Sequence, residues 1–386
     1  MSQTIAVLVP GITGTTLLRP NGASSKLPPL QVWPAEVAAA PKQAAKLLSQ
    51  EGIYAGEPIL NFLGQADRPV YSGLVTYFTQ MLGYQYVTAS HALPSTTGNV
   101  LVGFGYDWRQ SNVTTAGALG TLLAGINKQY PGCRVWIVAH SMGGLISRYL
   151  IETTLAKGGK SPVQGLVTLG TPHLGAPLAL SAITGEIDVS DFLDPAAIEQ
   201  YVDIPAYPSA FQLLPPQQVQ FVLDSAAKGY PIYTTSPVNT LLTAAPPAGF
   251  GAPPASLTAA TEFFSGLNYG SAQSGRPPYY AVYGSGIATV DRFKYTPSAP
   301  TPAAQLTQVS SATVANDPGG DAIVPQSSAL FTGGWVSGTF VARQVTHGRL
   351  TDSMSVLGQV AAWIGAGAAE DAGTHAEAEV LAPTAV

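Results

Sequence analysis

The chain is poor in charge, in cysteine and in histidine, and each scarcity excludes something. Charged residues make up only 10% of the 386 positions, against about a quarter in ordinary soluble domains. Net charge is −5 and there is no basic run, so nothing could neutralise a row of phosphates and nucleic acid is excluded as a partner. One cysteine, Cys133, rules out an internal disulfide. It adjoins an apolar run and reads as a small core residue. No apolar stretch is long enough to span a bilayer. The apolar residues 4–9 lack a basic flank and a small-residue cleavage site, so no signal peptide is read there. This points to the cytoplasm, with non-classical secretion or a removed leader left open. Neither a cofactor nor a metal is expected.

What is present is a large apolar fraction, 46%, enough for a sizeable core. Short β-rich runs alternate with helical ones. Ile5–Val9, Val100–Phe104, the nearly all-apolar Arg134–Ala139 and Val163–Leu169 read as strands. Helices are expected near 34–50, over 71–82 with Leu74, Tyr77, Phe78 and Met81 on one face, over Ala116–Gln129 and over Met142–Leu155. Such alternation predicts an α/β fold, a doubly wound, mostly parallel sheet with crossover helices. The regularity breaks over 175–257, rich in Pro and small residues, with short helical pieces at Asp194–Tyr201 and Gln217–Ala227. It returns with a helix at 258–267, strands at 279–283 and 336–345, and a last helix at 351–364. The expected organisation is a core of 1–174 and 258–365 with an early insertion at about 20–70, a cap or lid at 175–257, and a C-terminal tail at 366–386. A long irregular segment in such a place is usually functional; a loosely packed surface insertion is the alternative.

The chemistry centres on Ala139-His140-Ser141-Met142-Gly143, between a buried strand and a helix. A nucleophile elbow needs a strand, a sharp turn bearing Ser, and a helix, with small residues flanking the turn. Ala139 stands where the usual pattern has glycine, and Ala meets the demand for smallness. Read without that context, Ser141 would be an ordinary helix N-cap. A serine hydroxyl needs a base, and there are five histidines to choose from. His140 adjoins the serine and should point away from it. His173 follows a strand near the site, His91 is in an earlier loop, and His375 is in the tail. His347, after the last strand, is where a Ser…Asp/Glu…His chain order puts the base. Asp321, in Gly319-Gly320-Asp321-Ala322-Ile323-Val324-Pro325, is the expected third member, presented by a tight turn; Asp317 is its competitor, with a turn-forming role as its plainer reading. The oxyanion hole should use the backbone N–H of Met142 and one from the glycine-rich loop after the first strand, assigned to Ile12 with Gly11 as the alternative. Gly11, Thr13, His173 and Leu174 are expected to shape the substrate pocket.

Seven stretches carry a resemblance to a known family. They are Val9-Pro10-Gly11-Ile12-Thr13-Gly14-Thr15, Gln31-Val32-Trp33-Pro34, Tyr106-Asp107-Trp108-Arg109, Ala139-His140-Ser141-Met142-Gly143-Gly144, Gly170-Thr171-Pro172-His173-Leu174-Gly175, Gly320-Asp321-Ala322-Ile323-Val324-Pro325, and His347. In order and spacing the chain resembles the lecithin:cholesterol acyltransferase-like family, which includes lysosomal phospholipase A2. The resemblance implies an α/β-hydrolase core with a cap, acting on lipid or ester acyl groups, and supports the triad Ser141, Asp321 and His347. Eukaryotic members fasten a membrane-binding subdomain in the early insertion with a disulfide; this chain has no cysteine there. Asp107 and Arg109 are read as a structural charge network under the pocket.

The expected activity is that of a serine carboxylic-ester hydrolase, lipase- or esterase-like, on a small-molecule or lipid ester, with transient contact to a membrane or lipid surface allowed and oligomeric state open. If an alcohol replaces water, the same site is that of a lipid acyltransferase; a phospholipase using the same site is the other alternative. The rivals are a non-catalytic ligand-binding protein on the same fold and a secreted or injected lipase toxin acting on membranes.

Overall fold

β1 (Thr4–Val9) consists of six consecutive buried residues, as expected of a strand covered on both faces. Ile5, Val7, Leu8 and Val9 are fully removed from water, each worth about 1.5–3 kcal/mol relative to exposure. The computed structural model of the protein describes residues 3–22, 27–40, 43–184, 207–270, 273–311, 319–330 and 336–370.

Around β1 the chain builds a seven-stranded sheet from β5 (Gln85–Thr88), β6 (Val100–Gly103), β7 (Arg134–His140), β8 (Gly165–Leu169), β10 (Tyr279–Ser285) and β13 (Gly338–Arg343), in the order β13-β10-β8-β7-β1-β6-β5. All six pairings are parallel. The chain goes from β1 to one side for β5 and β6, then to the other for β7 onward. β1 therefore lies at the switch in strand order, and the crevice at the carboxyl ends of β1 and β7 is where such sheets bind ligands. Helix Asn112–Gln129 begins where Ser111 Oγ accepts the Val113 N–H, and it packs against helix Met142–Ala156. The α/β expectation holds.

Two small sheets were not legible from periodicity. β2 (Thr15–Arg19), β3 (Leu30–Trp33) and β4 (Tyr54–Pro58) form an antiparallel sheet in the early insertion. β9 (Val222–Leu223), β11 (Val290–Tyr295) and β12 (Leu306–Ser310) form another, so β9, from the segment expected as a cap, pairs with β11 from the segment expected as core.

Several local expectations need correction. The helix near 34–50 is two short helices, Ala35–Ala39 and Ala44–Leu48. The helix over 71–82 is α-helical only over Ser72–Thr76 and continues as a π-turn, Tyr77–Met81. The wider turn rotates the following side chains out of the α-helical face: Leu74 and Phe78 are buried, but Met81 is 66% exposed. Gln217–Ala227 is no helix. Val222 pairs with Phe293 in β11, and Asp224 Oδ1 then accepts the N–H groups of Ala226 and Lys228, closing a tight turn. The last helix, Met354–Glu370, runs five residues into the expected tail. Asp194–Tyr201, Asp317, His375 and the rest of the tail lie outside the described residues.

Candidate active site

Ser141 sits between the end of β7 and the helix Met142–Ala156 with φ 53° and ψ −127°, a backbone state a non-glycine residue keeps only when its surroundings over-determine it. They do: Ser141 N–H donates to the Leu169 carbonyl at 2.9 Å, and the Ser141 carbonyl accepts from Thr171 Oγ1 at 2.9 Å. Gly143 and Gly144 let the helix approach; a Cβ on Gly143 would overlap the carbonyl oxygens of Val9 and Pro10, and one on Gly144 would overlap Thr171. The elbow is thus held between β1, β8 and the loop after β8.

Asp321 and His347 come together 26 residues apart in sequence, with His347 Nδ1 2.8 Å from Asp321 Oδ2. Asp321 is fully buried and His347 is 3% exposed. Asp321 Oδ1 accepts the N–H groups of Ile323 and Val324 at 3.0 and 2.7 Å, and the Asp321 carbonyl accepts the His347 N–H at 2.8 Å. A carboxylate only accepts, so the imidazole proton is on Nδ1. Nε2 is left as an acceptor, and among the described residues it has no hydrogen-bond partner. Ser141 and His347 line one narrow pocket with Ile12, Pro69, Val70, Tyr71, His140 and Gly348.

On the other wall the loop after β1 passes the serine. A Cβ on Gly11 would lie 2.8 Å from Ser141 Cβ, so only glycine fits there. The Gly11 N–H is already taken, donating to Tyr71 Oη at 2.8 Å, whereas the Ile12 N–H meets no protein acceptor among the described residues. Of the two loop donors weighed from sequence, Ile12 is the free one. Met142 opens its helix, so its N–H has no intrahelical acceptor. Aromatic side chains pin the loop from behind: Tyr106 Oη donates to the Pro10 carbonyl at 2.7 Å, Trp33 Nε1 to Thr13 at 2.7 Å and Trp108 Nε1 to Thr15 at 3.2 Å. Arg109 clasps both Asp107 oxygens, at 2.8 and 2.6 Å, and reaches the Leu48 carbonyl.

Other sequence candidates lie further out. Thr13 is buried at φ 62° with its hydroxyl on the Ile12 carbonyl. His173 is buried between Arg148 (3.3 Å) and Thr168 (3.2 Å), and burial, then the Arg148 charge, holds its pKa well below the usual histidine range. The half-buried Leu174 donates its N–H to Ser328. None of these three is among the described residues lining the pocket that holds Ser141. His91 is on the surface beside Glu57, 3.3 Å away. Sequence reasoning missed Pro69, Val70, Tyr71 and Gly348, which no local motif marks. Among the described residues no group of His, Cys, Asp and Glu could hold a metal.

No curated protein matches the chain. Among solved structures it is similar to one determined as the Tle4–Tli4 complex, with TM-score 0.59 at 15% identity, covering 97% of this chain and 100% of that one; at that identity the likeness concerns the fold. A Bacillus licheniformis lipase, BlEst2, aligns with TM-score 0.40 at 13% identity over 95% and 92% of the two chains. The matched family segment contains the elbow and the Tyr-Asp-Trp-Arg stretch but neither Asp321 nor His347. The chain has the α/β-hydrolase fold, and its residues 75–238 match the lecithin:cholesterol acyltransferase family.

Proposed function

We propose that the protein is a serine carboxylic-ester hydrolase acting on apolar acyl esters. The observation that carries this reading is the His347–Asp321 pair at 2.8 Å, with its unpartnered Nε2 in the same pocket as a serine in an elbow conformation. Ser141 Oγ attacks the ester carbonyl carbon while His347 Nε2 takes its proton. The carbonyl π-electrons move to oxygen, and the N–H groups of Ile12 and Met142 bind that oxyanion. Collapse expels the alcohol, protonated by His347, and leaves an acyl group on Ser141. Water, deprotonated by His347, then releases the acid. Asp321 keeps the Nδ1–H tautomer and stabilises the imidazolium. The match to an acyltransferase family favours a second reading of the same site, in which an alcohol takes the place of water. Lipid or phospholipid esters are the proposed substrate class. No helix among the described residues is long and apolar enough to cross a membrane.

Ser141→Ala should abolish p-nitrophenyl ester turnover with the thermal unfolding midpoint little changed, and a fluorophosphonate should label Ser141 alone. Retained turnover, or labelling elsewhere, would sink the mechanism; no labelling would favour a ligand-binding protein. An acyl-chain series run with and without phospholipid and alcohol acceptors separates hydrolysis from transfer.

A further inference from the structure

Tyr71 takes no part in that chemistry, yet it connects two of its components. It is buried at 1% exposure, at the entrance to helix Ser72–Thr76. Its hydroxyl oxygen accepts the Gly11 N–H at 2.8 Å and lies 3.1 Å from His140 Nδ1. The His347 carbonyl faces His140 Nε2 at 3.1 Å and can only accept, so a neutral His140 carries its proton on Nε2 and its Nδ1 accepts the Tyr71 O–H. The assignment closes without conflict: Gly11 N–H to Tyr71, Tyr71 O–H to His140, His140 Nε2–H to the backbone of His347. The two imidazoles sit 4.7 Å apart. His140 is 6% exposed, and burial, then the neighbouring His347, holds its pKa well below the usual range, so it stays neutral, as the chain requires. A separate bond, Thr351 Oγ1 to the Val70 carbonyl at 2.6 Å, ties the Tyr71 segment to the turn after His347.

We propose that Tyr71 and His140 are positioning residues, a hydrogen-bonded relay that sets the distance between the oxyanion loop and the base across Ser141. The inference rests on the reading of Ser141, His347 and Ile12 given above. The Gly11–Ile12 loop and the His347 turn come from opposite ends of the chain, and neither belongs to a strand. By consuming the Gly11 N–H, the relay fixes the peptide beside Ile12 and leaves the Ile12 N–H to face the substrate. By holding the His347 carbonyl, it adds a second tether to the base besides Asp321. A misplacement of about 1 Å in such a constellation costs on the order of 100-fold in rate.

Tyr71→Phe keeps the ring and removes the link. It should lower kcat about 10- to 100-fold per active site titrated with fluorophosphonate, with KM within about twofold, because the loss falls on groups aligned for the transition state. Affinity for an aryl trifluoromethyl ketone, which forms an oxyanion on Ser141, should fall by a similar factor. His140→Phe should behave alike, and the double variant should lose no more than the worse single one, as members of one series do. Where Tyr71→Phe fails to fold, His140→Asn carries the test: it keeps an acceptor for Tyr71, drops only the donor to His347, and should lower kcat at least tenfold. Unchanged kcat per titrated site, or losses that multiply in the double variant, would overturn the relay. Turnover persisting in Ser141→Ala would instead overturn the mechanism beneath it.

Discussion

At the scale of single residues, Asp321 has the most closely specified surroundings. Two backbone N–H groups hold one carboxylate oxygen, and His347 holds the other. Asp321→Asn would present an amide N–H or an uncharged carbonyl to Nδ1, freeing the imidazole to place its proton on Nε2 and lose its basic face. The expected result is a kcat reduced by roughly 10³- to 10⁴-fold with the substrate KM little altered, measured by steady-state kinetics; a loss below tenfold would remove Asp321 from the mechanism. Ser141 and His347 were legible as candidates because each follows a recognisable strand, and Asp321 because a glycine pair precedes it between them in the chain order Ser…Asp…His. Tyr71 was not. Its hydroxyl matters through bonds to Gly11 and His140, 60 and 69 positions away in sequence, and nothing in residues 69–73 encodes that encounter.

At the scale of elements, the loop after β1 has a shape that its own residues do not impose. Thr13 is at φ 62°, a conformation that costs a β-branched residue on the order of 1–3 kcal/mol. The donors from Tyr106, Trp33 and Trp108 offset that cost by binding the carbonyls of Pro10, Thr13 and Thr15, and the Trp33 and Trp108 rings pack edge to face 5.6 Å apart. Trp33→Phe preserves an aromatic ring but leaves the Thr13 carbonyl buried without a partner, which costs about 1–3 kcal/mol. A lower melting temperature and a kcat reduced several-fold are expected together, read by calorimetry and ester kinetics on one preparation. A variant that melts lower but turns over at the full rate would show that the tryptophan stabilises the fold without shaping the loop. The Trp33 and Tyr-Asp-Trp-Arg stretches were visible in the sequence as motifs. Their shared work on one loop was not, because it depends on the early insertion folding back against β1.

At the scale of the whole molecule, few charges govern the response to acid. His140 and His173 are both buried, with pKa values well below the unfolded value of about 6.5. The unfolded chain takes up protons at these sites below that pH, and the folded one does so only at much lower pH. Their contribution to stability is therefore complete above about pH 6.5 and declines as pH falls toward the folded values, by about 1.4 kcal/mol per pH unit for each histidine. Denaturant unfolding between pH 7 and pH 5 should show this decline, with a shallower slope in His173→Gln. Equal slopes in the two proteins would mean that His173 titrates normally in the fold.

The parallel strands, the helix after the elbow and the order of Ser141, Asp321 and His347 were determined by the sequence alone. Each rests on a local signal: a short apolar run bounded by turn residues, a small-residue turn, a glycine pair before an acid. Tertiary structure decided the rest. It took Gln217–Ala227 out of a helix and put Val222–Leu223 in a strand beside β11, turned Met81 to solvent through a π-turn, occupied the Gly11 N–H and joined Tyr71 to His140. In every one of these cases the deciding partner is distant in sequence or the backbone departs from its regular period, and hydrophobic periodicity carries no information about either. Ser141 itself belongs to both accounts: its neighbours in the chain announce the turn, and Leu169, Thr171 and Gly11, brought in from elsewhere, hold it there.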